Sequence, residues 1–183
     1  RRGLTGINLI IKVAGAMSAK GFSLNEIYEC CNTLLGNRFI RTIGFSFHHH
    51  ASNELSDINI GYGIHGEPGS LKLDRVKSFK PIIEIMIQKL KLMDVSGDAI
   101  LLFNNLGGSS EFIFYHFIND FMDLIRDYSF NVIKMYGGKF LTSLGKEGIG
   151  VSIMEVKDKR IEEFLEYGVT GASQNLFNYP LEY

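Results

Sequence analysis

Ala99-Ile100-Leu101-Leu102-Phe103 is the stretch of this sequence that decides the fold. It is a continuous apolar run of strand length, without alternation between apolar and polar residues. Such a run is typical of a strand that is buried on both faces, as in the interior of a sheet covered by helices. The stretch therefore predicts a central strand, and the rest of the chain has to supply its neighbours and its cover.

The loop Asn104-Asn105-Leu106-Gly107-Gly108 follows this strand directly. It precedes a helix predicted to begin near Ser110, so it lies at the carboxyl end of a strand, where α/β proteins commonly bind ligands. It lacks the lysine and the spacing of a phosphate-binding loop. Two interpretations stay open: the loop shapes a site or an interface, or its asparagines and glycines satisfy a tight turn. The residues alone favour the turn.

On both sides of this central strand in the sequence, helical and strand patterns follow one another along the chain. Ser23 and Glu26 form a capping box before the second helix, and the first two helices are predicted to cover a sheet. The fold class is α/β: one domain with a mixed β-sheet of about four to six strands covered by helices. Helices are predicted over residues 5–20, 23–36, 78–95, 111–128 and 159–167, and strands over 43–47, 58–65, 99–103, 132–135 and 149–153.

Composition excludes several classes of function. The 183 residues are 45% hydrophobic and carry a net charge of −1, so the chain lacks the basic surplus of a nucleic-acid-binding protein. No apolar run approaches the roughly 20 residues that cross a bilayer, and no signal peptide opens the chain. Cys30 and Cys31 are adjacent on a predicted helix and are poor candidates for a disulfide or a metal site. These features predict a cytoplasmic protein that binds neither nucleic acid nor membrane.

A candidate site lies in Gly61-Tyr62-Gly63-Ile64-His65-Gly66-Glu67-Pro68-Gly69, where four glycines surround one histidine. Alternation from Ile58 predicts a strand that runs to His65, with the imidazole on the polar side. Gly61 and Gly63 would leave an open groove leading to the ring, and together with Gly44 and Ser46 of the preceding strand would form a shallow floor. The alternative is that these small residues let a helix or a neighbouring lobe approach the sheet closely.

The same nine residues resemble the signature GxGIHGEPG of dihydroxyacetone kinases, in their substrate-binding K part. The resemblance extends over nearly all of the chain, in the same order and with similar spacing. In that family the histidine holds dihydroxyacetone covalently as a hemiaminal, which implies this role for His65 and places Gly63 and Gly66 beside the substrate. The other matching segments are Arg1-Arg2-Gly3-Leu4-Thr5-Gly6, Lys12-Val13-Ala14-Gly15-Ala16, Asn104-Asn105-Leu106-Gly107-Gly108 and Leu141-Thr142-Ser143-Leu144.

The resemblance also implies how the function is divided. Residues 1–183 correspond to the C-terminal lobe of the K part, without the N-terminal lobe that supplies the acid/base aspartate and histidine. ATP and Mg²⁺ belong to a separate L part, or a phosphotransferase relay replaces them, so no cofactor and no metal is expected on this chain. The family commonly forms homodimers. The chain alone is predicted to form a weak adduct with dihydroxyacetone, or another short ketose or aldehyde, and not to phosphorylate it.

Three features depart from the family pattern. The link from Phe47 to Asp57 is short and lacks prolines, Ile11 replaces a histidine, and residues 171–183 lack the usual tryptophan-proline ending and are predicted to be a loose tail.

The run His48-His49-His50 is an alternative candidate for a metal site. Consecutive residues of a strand alternate sides, however, so a solvated loop is the prediction. Two further functions stay open: a non-catalytic sensor or regulator that binds a carbonyl metabolite on the same fold, and a generic interaction domain.

Overall fold

The computed structural model describes residues 5–36, 39–49, 54–168 and 181. Within these residues the chain forms one open, six-stranded mixed sheet in the order β3-β2-β1-β6-β4-β5. The α/β fold class and the single sheet are confirmed. The elements are α1 (Ile7–Ala19), α2 (Leu24–Gly36), β1 (Ile40–His49), β2 (Leu55–Ile60), β3 (Leu71–Val76), α3 (Lys80–Leu90), β4 (Gly97–Asn105), α4 (Glu111–Ile125), β5 (Phe130–Gly138), β6 (Gly148–Glu155) and α5 (Arg160–Glu166), with a short 3₁₀ turn at Leu92–Asp94.

The apolar stretch Ala99–Phe103 is the buried centre of β4. Each of its five residues is fully buried, as the lack of alternation predicts. β4 pairs in parallel with β5 and antiparallel with β6. The parallel pairing follows from α4, because two parallel strands need a long crossover between them.

One face of the sheet, here called the aromatic face, packs against α3 and α4. Alternate residues of the strands, such as Phe45 of β1 and Phe103 of β4, point into this layer. The apolar stripe predicted on α4 is buried here, and the Phe117 ring centroid lies 5.2 Å from that of Phe45. Edge-on and tilted ring pairs of this kind add to the stabilisation from burial.

The opposite face, here called the second face, is covered by α1 and α5 over β4 and β6. α2 packs beside α1 and buries Leu34 in the same cluster as residues of the sheet, whereas Leu24 and Tyr28 of the predicted apolar stripe are exposed. The prediction that α2 covers the sheet is therefore confirmed only in part. Its capping box is confirmed: the Ser23 N–H donates to Glu26 Oε2 at 2.8 Å, and the Glu26 N–H donates to Ser23 Oγ at 3.4 Å.

The observed elements differ from the predicted ones by one additional strand and by several boundaries. β3 was not predicted, although Leu71 and Leu73 alternate with charged residues, because a short charged edge strand gives a weak signal. β2 ends at Ile60 instead of continuing to His65. α3 ends at Leu90, where Lys91 adopts a left-handed conformation, instead of continuing to residue 95.

The predicted loose tail, residues 171–183, lies outside the described residues except at Leu181. The Leu181 N–H donates to the carbonyl of Met135 at 2.6 Å, which pairs this residue antiparallel with β5. Of the helices in the described ranges, none has the length and apolarity needed to cross a membrane.

The aromatic face gives a test of the core with a matched control on the same helix. Phe117 is fully buried, whereas Phe112 is 78% exposed. We expect Phe117→Ala to lower the free energy of unfolding by about 3 to 5 kcal/mol, since it leaves a cavity among the rings. Phe112→Ala should change it by less than about 0.5 kcal/mol. Chemical denaturation of both variants measures the difference, and equal losses would contradict this account of α4.

Candidate functional site

The segment from Gly61 to Ser70, here called the histidine loop, connects β2 to β3 as a closed loop. Its ends are joined because the Ser70 N–H donates to the Ile60 carbonyl at 2.8 Å. Gly61 has φ = 84°, a left-handed conformation that favours glycine. This conformation turns the chain out of β2, and the N–H groups of Gly61 and Tyr62 both donate to the Gly44 carbonyl, at 2.7 and 3.2 Å.

His65 therefore lies in a turn and not on a strand, which corrects the sequence prediction. The Gly66 N–H donates to the Gly63 carbonyl at 3.0 Å, which closes a β-turn with Ile64 and His65 as its central residues. His65 is exposed. The alternation that predicted a strand continues in the sequence past Ile60, but the Gly61 turn ends the strand pairing. The imidazole is at the tip of a tight turn, accessible to a ligand.

Glu67 completes the turn, although no pattern in the sequence predicted its role. Its carboxylate Oε2 accepts a hydrogen bond from the His65 backbone N–H at 3.1 Å. Its backbone carbonyl accepts the Gly63 N–H at 3.2 Å. The available signal was an acidic residue two positions after His65 within a glycine-rich turn, where a side-chain oxygen can satisfy a free N–H.

Gly63 and Gly66 have different structural roles. A Cβ on Gly63 would lie 2.1 Å from Glu67 Oε2, so the missing side chain makes room for this carboxylate. The predicted open groove at Gly63 is therefore wrong, because Glu67 fills that space. Gly66 has φ = 85°, and a Cβ there would lie 3.6 Å from the Tyr62 hydroxyl. Substrate contacts at Gly63 and Gly66 stay a prediction.

Two glycines on the second face of the sheet make room for neighbouring segments, and one of these segments is the histidine loop. Gly44 of β1 and Gly150 of β6 are directly opposite each other. A Cβ on Gly44 would lie 3.1 Å from the Tyr62 carbonyl oxygen, and a Cβ on Gly150 would lie 2.2 Å from Thr5 Oγ1. The small residues thus allow two segments, the loop and the residues before α1, to approach adjacent strands. The small residues permit a close approach, as the alternative interpretation expects, but by these two segments and not by a helix or a neighbouring lobe; Gly61 and Gly63 do not form a floor with Gly44.

The Asn104–Gly108 loop is fixed by its own amide groups. Asn104 is fully buried, donates from Nδ2 to the Leu141 carbonyl at 2.7 Å and accepts the Leu141 N–H at 2.8 Å. Asn105, also fully buried, donates to the Ser109 carbonyl and accepts the Gly107 N–H, both at 2.8 Å. Two of the family-like segments, 104–108 and 141–144, are thereby joined. These contacts support the turn interpretation of the loop.

The histidine run differs in part from its prediction. His48 and His49 belong to β1 and not to a loop, although both are exposed as expected. The His49 N–H donates to Glu147 Oε2 at 3.0 Å, and His50 lies outside the described residues. A search of the described residues finds no group of three or more histidine, cysteine or acidic side chains that could hold a metal ion.

The two cysteines and Lys12 are partly or fully withdrawn from solvent. Cys30 and Cys31 are free and half-buried, and burial raises the pKa of both thiols, so they are poor nucleophiles at neutral pH. Lys12 lies on the buried side of α1, burial lowers the pKa of its ammonium group, and Nζ donates to the Tyr167 carbonyl. Its family-like segment therefore serves the packing of α1 against the end of α5.

A family model matches most of the chain. The Dak1 domain model matches residues 1–172. The chain is 29% identical to the dihydroxyacetone kinase of Pichia angusta over 91% of this chain and 33% of that protein. It is also 29% identical to the dihydroxyacetone-binding subunit DhaK of the PTS-dependent dihydroxyacetone kinase 1 of Listeria innocua, over 92% of this chain and 54% of that subunit.

Regulatory proteins are similar to the same degree. The DhaKLM operon coactivator DhaQ of Lactococcus lactis is 27% identical over 90% of this chain and 53% of its own length. A solved structure named for the regulation of the dha operon of Lactococcus lactis has a TM-score of 0.76 and 27% identity, over 93% of this chain and 51% of that one. The chain thus spans between a third and about half of the length of these relatives.

The glycine pair beneath the loop gives a test of how the loop is positioned. In Gly44→Ala the new methyl group presses on the Tyr62 carbonyl at 3.1 Å, so we expect a loss of about 1 to 3 kcal/mol in the free energy of unfolding. Gly15→Ala is the matched control, because nothing lies within 4 Å of its Cβ and alanine favours a helix by about 0.5 to 1 kcal/mol. Denaturation and the amide NMR shifts of residues 61–66 report both effects. Unchanged loop shifts in Gly44→Ala would contradict this role of Gly44.

Proposed function

The chain belongs to the Dak1 domain family, and on that premise we propose that it is the C-terminal, substrate-holding lobe of a dihydroxyacetone kinase. In this role it holds dihydroxyacetone through a covalent bond to His65 while a substrate hydroxyl receives the phosphoryl group. The observation that carries the proposal is the exposed His65 at the tip of a closed, hydrogen-bonded turn. The GYGIHGEPG sequence around it supports the same assignment.

The chemistry proposed for His65 follows from a neutral imidazole. Its unprotonated nitrogen attacks the ketone carbon, a C–N bond forms, and the carbonyl π electrons move to oxygen. The proton on the other ring nitrogen is lost and the oxygen gains one, so the ring N–H has in effect added across the carbonyl. An alcohol such as glycerol has no carbonyl and cannot form this hemiaminal. The bond fixes the substrate hydroxyls in position for transfer.

Phosphoryl transfer needs groups beyond those around His65. A base, Mg²⁺ and a nucleotide, or a phosphoprotein in its place, are required, and we assign them to the N-terminal lobe and to a separate L part or phosphotransferase relay. This division agrees with a chain that spans about half of the DhaK subunit of Listeria innocua. A homodimer, a cytoplasmic location, and the absence of nucleic-acid and membrane partners belong to the same proposal.

A second candidate function is regulatory. The similarity to DhaQ, a coactivator by name, is nearly as high as the similarity to the kinases. In that case the lobe would bind a carbonyl metabolite through His65 and pass on its occupancy without any phosphoryl transfer. Both functions use the same adduct, so only turnover separates them.

Adduct formation at His65 tests what the two functions share. When dihydroxyacetone carrying ¹³C at its carbonyl is added to the full-length protein, we expect the carbonyl signal to be replaced by one of a tetrahedral carbon. Native mass spectrometry should show one added dihydroxyacetone per chain. His65→Ala should abolish both signals, whereas His116→Ala, which removes an exposed histidine on α4, should keep them. An adduct that survives in His65→Ala would refute the assignment.

Turnover tests the choice between kinase and regulator. We expect the full-length protein with its L part to form dihydroxyacetone phosphate, and residues 1–183 alone to form none. The measurement is a coupled assay with ATP, repeated with the phosphotransferase relay as donor. An adduct without turnover from either donor would favour the regulatory function, and robust turnover by residues 1–183 with ATP alone would contradict the division of labour.

A further inference from the structure

We propose that Glu67 is a positioning residue for His65, whose carboxylate holds the turn in the conformation that presents the imidazole to the substrate carbonyl. The inference rests on the proposed function, because it concerns how substrate attachment at His65 is made efficient. Glu67 itself does not react in this proposal. Its effect passes through the backbone of the turn.

Glu67 contacts the turn at two points. Its side-chain Oε2 accepts the His65 N–H at 3.1 Å, and its backbone carbonyl accepts the Gly63 N–H at 3.2 Å. These two bonds flank the Gly66-to-Gly63 bond that closes the turn. One residue thus ties down both the first residue of the turn and the residue that carries the ring. A bond to a carboxylate is also stronger than one between neutral groups.

The space for this carboxylate is made by Gly63. A Cβ at residue 63 would lie 2.1 Å from Glu67 Oε2, closer than any non-bonded contact allows. The atom that would be displaced is the end of a flexible side chain, so the carboxylate can move away without disturbing the sheet. Gly63→Ala should therefore detach Glu67 from His65 while both residues remain in the chain. It provides a second, independent way to break the same contact.

Orientation is important here because His65 is exposed and few neighbours restrain its ring. Addition to a carbonyl requires the ring nitrogen to approach the carbon from one direction, and misplacement by about 1 Å can cost roughly a hundredfold in rate. A turn that fluctuates would present the ring in many directions. The bonds at the base of the loop, from Ser70 to Ile60 and from Gly61 to Gly44, do not involve Glu67 and should keep the loop closed in its absence.

The variants separate positioning from general stability and from charge. Glu67→Ala removes the acceptor, Gly63→Ala displaces it, and Glu67→Gln keeps an amide oxygen that can accept the same N–H. Glu84→Ala, an exposed carboxylate on α3, is the control for loss of a surface charge. A purely structural role would lower the unfolding midpoint in proportion to the loss of adduct, whereas a positioning role leaves the midpoint nearly unchanged.

The test uses the full-length protein with ¹³C-labelled dihydroxyacetone, and measures the rate of adduct formation, the unfolding midpoint and hydrogen exchange of the His65 amide. We expect Glu67→Ala and Gly63→Ala to slow adduct formation roughly tenfold or more and to speed exchange of this amide, with the unfolding midpoint nearly unchanged. Glu67→Gln and Glu84→Ala should stay within about threefold of the wild type.

The outcomes distinguish this inference from the proposed function. If the wild type forms the adduct and Glu67→Ala forms it equally fast, the positioning role is wrong and the function stands. If Glu67→Gln is as slow as Glu67→Ala, the charge and not the hydrogen bond is responsible, and the inference is overturned. If the wild type forms no adduct, the proposed function fails and the inference fails with it.

Discussion

Burial of β4 on both faces is the constraint on which the rest of the structure depends. A strand of five fully buried apolar residues needs a helical layer on each side, and the chain supplies α3 and α4 on one side and α1 and α5 on the other. The two layers are unequal in composition. Phenylalanine rings fill the aromatic face, whereas β1 and β6 carry glycine and hydroxyl residues on the second face, where the Ser152 hydroxyl donates to Thr42 Oγ1 at 2.8 Å.

This inequality positions the candidate site. Large side chains on the second face of β1 and β6 would hold any further segment away from the backbone. The opposed Gly44 and Gly150 instead allow direct approach, so the histidine loop and the residues before α1 lie against neighbouring strands. The exposed imidazole is thus attached to β1, an interior strand of the sheet, through the backbone hydrogen bonds of Gly61 and Tyr62 to the Gly44 carbonyl. A fixed base and an accessible tip would suit the role proposed for His65, because attack on a carbonyl depends on how the ring is positioned.

The sequence predicted those parts of the fold that depend on local pattern and burial. β4, the α4 stripe and the Ser23–Glu26 capping box were all predicted, because each depends on residues that are close in the sequence or on simple periodicity. The end of β2 was not, because it depends on the Gly44 carbonyl, 17 positions before Gly61, which accepts two N–H groups there. The stripe of α2 was predicted in full but is buried only in part, since periodicity does not reveal how much of an apolar stripe its neighbours cover.

At the candidate site the sequence identified the histidine but not its support. The glycines and the family-like motif pointed to His65, while the room that Gly63 makes for the Glu67 carboxylate became evident only from the geometry. A hydrogen bond between a side chain and a nearby N–H produces no periodic pattern in the sequence. The hydrogen bonds of Asn104 could not be predicted from the sequence either, because its side-chain amide pairs with the backbone of Leu141, 37 residues further along the chain.

The pairing of Leu181 with Met135 has a consequence for how the sheet meets other proteins. An edge strand with free N–H and carbonyl groups invites the addition of another strand. At β5, Leu181 occupies part of that edge and covers Gly137, where a Cβ would lie 2.6 Å from its Cδ1. At the opposite edge, β3 carries Lys72, Asp74 and Arg75, which discourage pairing by charge. Both ends of the sheet are thus protected against growth into larger β-assemblies, each by a different physical device.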